Sequence, residues 1–190
     1  SFSTFFNTDA GQAHPALSSL PTSDRVVSYF RGAAIGNDAA SLIAKQIGYD
    51  GSRAEDGGFT FAVEVQSNSY GLEWGTQVTA GMRTDTDETD GDSLDTGAST
   101  SFGAQLYLHV SAFSGTDCTI KLQDSDDNET FTDVSDAAFT AVTDVTSERI
   151  ALGSTATVRQ YVRISTETAD GFDSVTFAVN MNKNGTAVTF

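Results

Sequence analysis

Four separate segments in the second half of the chain alternate apolar and polar residues with a period of two, and this pattern demands a sheet. Leu106, Leu108, Val110 and Ala112 alternate with Tyr107, His109 and Ser111. Cys118, Ile120 and Leu122 alternate with Thr119, Lys121 and Gln123. Val158, Val162 and Ile164 share a parity opposite Arg159, Tyr161 and Arg163, and Val175, Phe177, Val179 and Met181 alternate with Thr176, Ala178 and Asn180. Successive strand residues point to opposite faces, so each segment predicts a strand with one face buried. The intervening SGTD, DSDDNE and TADGFD are turn chemistry. Shorter strands are expected at Phe131–Val134, Phe139–Val142 and Glu148–Leu152. Six or seven antiparallel strands within residues 96–190 read as a small β-sandwich.

The first half reads as mixed. Phe59, Phe61, Val63 and Val65 predict a strand opposite Thr60, Ala62 and Glu64, and Arg25–Arg31 and Ser41–Tyr49 are further strand candidates. Ala13–Leu20 predicts a short helix ending before Pro21, and GSRAEDGG at 51–58 predicts a hairpin loop. Three strands and a helix are too few to close a sandwich, so this part is expected to complete its sheet against other material. On that reading the burial of Phe59, Phe61, Val63 and Val65 depends on an assembly.

Charge sets the apparent division of the chain. Its 190 residues carry 26 acids and 10 bases, a net charge of -16. Residues 85–95, DTDETDGDSLD, hold six acids, no base and Leu94 as their one large apolar side chain. That composition predicts an acidic linker between a portion at 1–84 and a sandwich at 96–190. Nineteen of the acids are Asp, and only three of the bases are Lys. An Asp-rich, Lys-poor surface suits strong salt, where self-repulsion is screened and carboxylates stay hydrated. The same charge argues against a protein that grips nucleic acid by neutralising phosphates. No apolar run reaches the roughly 18 residues of a membrane span, and SFSTFFNTDA lacks the basic region of a signal peptide.

The sequence offers little catalytic chemistry, and no catalytic, cofactor or metal residue is assigned. His14 and His109 have no second His or Cys nearby. Cys118 has the parity of Ile120 and Leu122 and reads as a small buried hydrophobe. The one Cys excludes an intrachain disulfide. No nucleotide, zinc-protease or nucleophile-elbow motif occurs. Asp85, Asp87, Asp90 and Asp92 crowd one loop around Gly91, and Asp124, Asp126, Asp127 and Glu129 crowd another. Oxygen-rich loops hold Ca²⁺ or Mg²⁺, but D-x-D-x-x-D-G is one residue longer than the EF-hand spacing, so solvated acidic loops are expected. The sequons at Asn128 and Asn184 match the number that chance provides.

Two longer stretches are more specific. GLEWG at 71–75, TAG at 79–81 and RTDT at 83–86 follow the strand region of the first half. QDSDDNETFTDV at 123–134, AFTAVT at 138–143, ERIA at 148–151 and VRQYVRI at 158–164 follow in the second. Together, over most of residues 20–183, they resemble the tail-tube (major tail) proteins of long-tailed phages and archaeal tailed viruses. The resemblance implies a tube-type β-sandwich joined by a connector to an outer Ig-like sandwich. It implies a structural virion protein, not an enzyme, from a haloarchaeal virus, assembled in the host cytoplasm. Hexameric rings of this chain would stack into a tail tube, contact other tail proteins and pass viral DNA without binding it specifically. An acidic lumen repels phosphates, and Glu64 is a lumen candidate. Two other classes share the sandwich: a capsid decoration or fibre protein, and a cell-surface carbohydrate-binding module with Tyr107 and Tyr161 stacking on sugar.

Overall fold

The computed structural model describes residues 1–9, 13–18, 23–68 and 70–187. Among them the protein is almost entirely β, with antiparallel pairing throughout. No helix among the described residues is long and apolar enough to cross a membrane. The chain forms two compact units. The first comprises Ser1–Val27 and Leu42–Leu72, the second Ser28–Ser41 and Glu73–Phe190. The boundaries therefore differ from those read from charge.

The first unit contains β1 (Phe2–Phe5), α1 (Ala13–Leu17), the start of β2 (Arg25–Phe30), most of β3 (Asp38–Arg53) and β4 (Phe59–Ser67). The expected helix is thus present over five residues; Ser19 and Leu20 lie outside the described residues. β3 and β4 form a long hairpin in which Arg53 pairs with Phe59 and Ala44 with Ser67. The turn between them is closed by Ala54 N–H to Gly58 O at 2.8 Å. β1 pairs on the far side of β4, with Phe2 opposite Val63.

The second unit is a β-sandwich. One sheet runs β5 (Glu73–Gln77) and β6 (Arg83–Asp85), then β14 (Phe172–Lys183), β9 (Ala104–Gly115) and β12 (Thr146–Ala151). The other runs β11 (Thr132–Ala138), β10 (Thr119–Ser125) and β13 (Tyr161–Glu167), edged by β7 (Thr89–Asp90) and β8 (Leu94–Asp95). Leu106, Leu108, Val175, Phe177, Val179 and Met181 of the first sheet share one core with Ile120, Leu122, Val162 and Ile164 of the second. The alternation in the sequence is the cause: in each strand, the apolar parity faces the opposing sheet.

Three expectations need correction. Residues 85–95 are not a linker: they contribute part of β6 and all of β7 and β8, paired to β14 and β13. Of the strands expected at 131–134 and 139–142 only the first forms, as β11, which runs on to Ala138. Asp136 takes φ 61° within it, and Phe139 and Val142 reach the core from irregular backbone beyond its end. Val158 precedes β13 and makes an isolated bridge to Thr100.

Candidate assembly surface

In the first unit, the two faces of the β3–β4 hairpin differ sharply. Phe61 and Val63 are buried, while Phe59 and Val65 of the same parity are half-buried. Phe6 covers them, with its ring centroid 5.7 Å from that of Phe61. His14 on α1 packs edge-on to Phe6 at 4.6 Å and bonds through Nδ1 to the Tyr49 hydroxyl at 2.9 Å. Gly51, opposite Phe61, leaves room for the rings: a Cβ there would lie 3.0 Å from both Phe59 and Phe61. His14 is thus a packing residue. The expectation that this whole stripe waits for an assembly is overturned for Phe61 and Val63, which the unit seals by itself.

The opposite face is open. Ala62, Glu64 and Gln66 are exposed on β4. Asp50 pairs with Ala62, and Lys45 with Gln66. Lys45 faces Asp24 at 3.7 Å, which offsets its charge. The unit also leaves Phe2, Phe6, Ile47 and Leu72 exposed, Ile47 by 57%. Beside α1 an apolar groove of about 530 Å³ is lined by Phe2, Leu17, Val27, Val63 and Val65.

In the second unit, the sheet face turned away from the core carries a buried polar layer. His109 Nε2 meets Ser28 Oγ at 2.8 Å, Ser28 Oγ meets Ser41 Oγ at 2.7 Å, and Asn180 Nδ2 donates to Ser41 Oγ at 3.0 Å. Burial holds the His109 pKa below its ordinary value. Tyr107 is 1% exposed and donates its hydroxyl to Glu73, and Arg149 Nε donates to the same hydroxyl at 3.0 Å. Burial and the Glu73 carboxylate both push the Tyr107 pKa up. Tyr107 therefore cannot stack on a sugar, and Tyr161 is half-buried.

The crowded carboxylates disperse. Asp85 is buried, bonded to Arg83 Nη2 at 2.6 Å and to Thr166 Oγ1 at 2.9 Å. Asp90 pairs with Arg163 at 2.8 Å, and Asp87 and Asp92 are exposed. Asp124 accepts Arg159 N–H at 2.8 Å, and Asp126 faces Arg159 Nε at 3.3 Å. Asp127 accepts the backbone N–H groups of Thr130 and Glu129 at 2.8 and 2.9 Å. These bonds, the Thr130 one foremost, lower its pKa to about 2. Glu129 is exposed. Among the described residues no group of three or more His, Cys, Asp or Glu is placed to hold a metal ion. Asn128 lies in the same exposed loop at φ 61°, and Asn184 donates through Nδ2 to Phe102 O at 2.8 Å. Cys118 is fully buried. Burial, with Asp85 and Asp117 nearby, raises its thiol pKa to about 12.

Comparison with known proteins leaves the reading to these residues: no protein-family model matches the chain, and no curated protein matches its sequence. Sequence reasoning missed Trp74, the chain's one tryptophan, which is 58% exposed in β5. Its parity, shared with buried Val78, reads as core, so nothing local in the sequence marks it as exposed.

Proposed function

We propose that the chain is a virion structural protein, a tail-tube subunit that assembles as stacked hexameric rings through which viral DNA passes. The observation that carries the reading is the character of the first unit. It pairs a packed aromatic face with an open polar face bearing Asp50 and Glu64, it leaves Phe2, Ile47 and Leu72 exposed, and an apolar groove opens beside α1. A contiguous exposed apolar patch marks an interaction surface, and in this reading Phe2, Ile47 and Leu72 contribute to one. The tail-tube resemblance of GLEWG, TAG and RTDT with the sandwich that follows supplies the class of assembly.

In this reading the apolar groups of the first unit meet neighbouring subunits and the second unit is an outer, Ig-like sandwich. The Glu64 face lines the bore, where negative charge repels phosphate and keeps DNA sliding. Negative-stain microscopy of the purified protein in strong salt tests it. Hexameric rings or tubes are the expected result. Monodisperse monomers at every salt and protein concentration would refute it.

A further inference from the structure

One end of the sandwich in the second unit opens as a cleft of about 600 Å³, a size at which small-molecule sites occur. Trp74 stands at its wall, more than half exposed, and half-buried Leu94 adds apolar surface beside it. Thr76, Asp95 and Ser101 line it with oxygen. The cleft also contains Lys183, but that ammonium is already occupied: Nζ donates to Thr96 Oγ1 at 2.6 Å, Ala98 O at 2.6 Å and Arg159 O at 2.7 Å. Asp95 is held in place through Oδ1, which accepts Gln160 Nε2 at 2.9 Å and Gly97 N–H at 2.8 Å. Both bonds fall on the same oxygen, so Oδ2 remains an acceptor for a ligand hydroxyl.

These groups select among ligand classes. An anion finds no available cation and meets Asp95 within a chain of net charge -16. A wholly apolar ligand would cover the hydroxyls and the carboxylate without hydrogen-bonding them, which costs free energy. A pyranose ring meets both demands. Its C–H face lies flat on an indole, and its equatorial hydroxyls bond carboxylate and hydroxyl groups around the edge. We propose that this cleft is a binding site for neutral saccharides, with Trp74 as stacking platform and Asp95 as hydroxyl acceptor. The site does not depend on the tail-tube reading, since every residue in it belongs to the sandwich.

Because Trp74 is the only tryptophan, its emission reports the cleft directly. The intact protein is titrated with maltohexaose, cellohexaose and chitohexaose, with inorganic phosphate as the anionic control. The expected result is a saturable blue shift with at least one hexasaccharide and none with phosphate. Calorimetry with that sugar should show binding weakened about 10-fold or more by Trp74→Ala, as for buried aromatic anchors, and also weakened by Asp95→Asn. Val145→Ala, an exposed apolar change away from the cleft, should leave it intact. Circular dichroism confirms that each variant is folded. No saturable shift with any of the three sugars overturns the proposal, as does unaltered affinity in Trp74→Ala. A shift produced by raising protein concentration alone would assign the cleft to a second copy of the chain and overturn it too.

Discussion

Tyr49 and Phe61 lie face to face across neighbouring strands, their ring centroids 4.2 Å apart and their planes within 2° of parallel. The diagonal contact exists because Gly51, directly opposite Phe61, contributes no side chain. Phe61→Ala removes the centre of the cluster that also holds Phe6, Phe59 and His14. It should destabilise the first unit by roughly 3–5 kcal/mol in urea titration, the usual cost of a core aromatic truncation. Phe61→Asp adds an unpaired buried charge and should abolish rings, leaving the sandwich protease-resistant. Normal rings from Phe61→Asp would contradict both the packing and the assembly reading.

Asp85 decides whether residues 85–95 are structure or tether. Its carboxylate holds Arg83, whose guanidinium also donates to Ile164 O at 3.0 Å and lies 4.8 Å over the Phe177 ring. Arg83 reaches that carbonyl across Gly91, where any Cβ would overlap the guanidinium. Asp85→Ala leaves a largely buried cation unpaired and should cost about 3 kcal/mol. Asp85→Asn, which can still accept from Thr166, should cost less. Unchanged thermal unfolding in Asp85→Ala would restore the linker reading.

Salt should stabilise the protein. Self-repulsion from a net charge of -16 is screened as the Debye length falls from about 10 Å at 0.1 M to about 3 Å at 1 M. The melting temperature should rise across that range in KCl. A flat profile would remove the halophile argument.

Acid should weaken the 125–130 loop in a defined window. The folded-state pKa of Asp127 is depressed to about 2 from 3.8, so the unfolded chain binds its proton first as pH falls. The stabilisation is complete above 3.8 and is lost on descending through about 2. Asp127→Ala should therefore melt below the parent at neutral pH, and the gap should close as pH approaches 2. A gap independent of pH would mean that the side chain matters through something other than its charge.

The sandwich strands were legible because burial on one face imposes a period of two, which survives in Leu106–Val110 and Val175–Met181 whatever the tertiary details. The division of the chain was not. Asp85 looks like solvent-facing charge until Arg83 and Thr166 close on it, and such a partnership, with residues 81 positions apart in the Thr166 case, leaves no local periodicity. The hydroxyl–amide layer of Ser28, Ser41 and Asn180 is hidden for the same reason. Glu64 was placed on the correct strand face by parity alone. The placement of Trp74 depends on where the opposing sheet ends, which no single strand encodes.

The sealed core around Cys118 has a practical corollary. Its thiol is the only one in the chain and is both inaccessible and protonated at neutral pH, so thiol reagents meet a silent background. A single cysteine introduced at Ile47 or Leu72 becomes a unique chemical address on the native protein. Bifunctional maleimides of graded length could then test whether that address on one copy of the chain comes near the same address on another, without first removing a native residue.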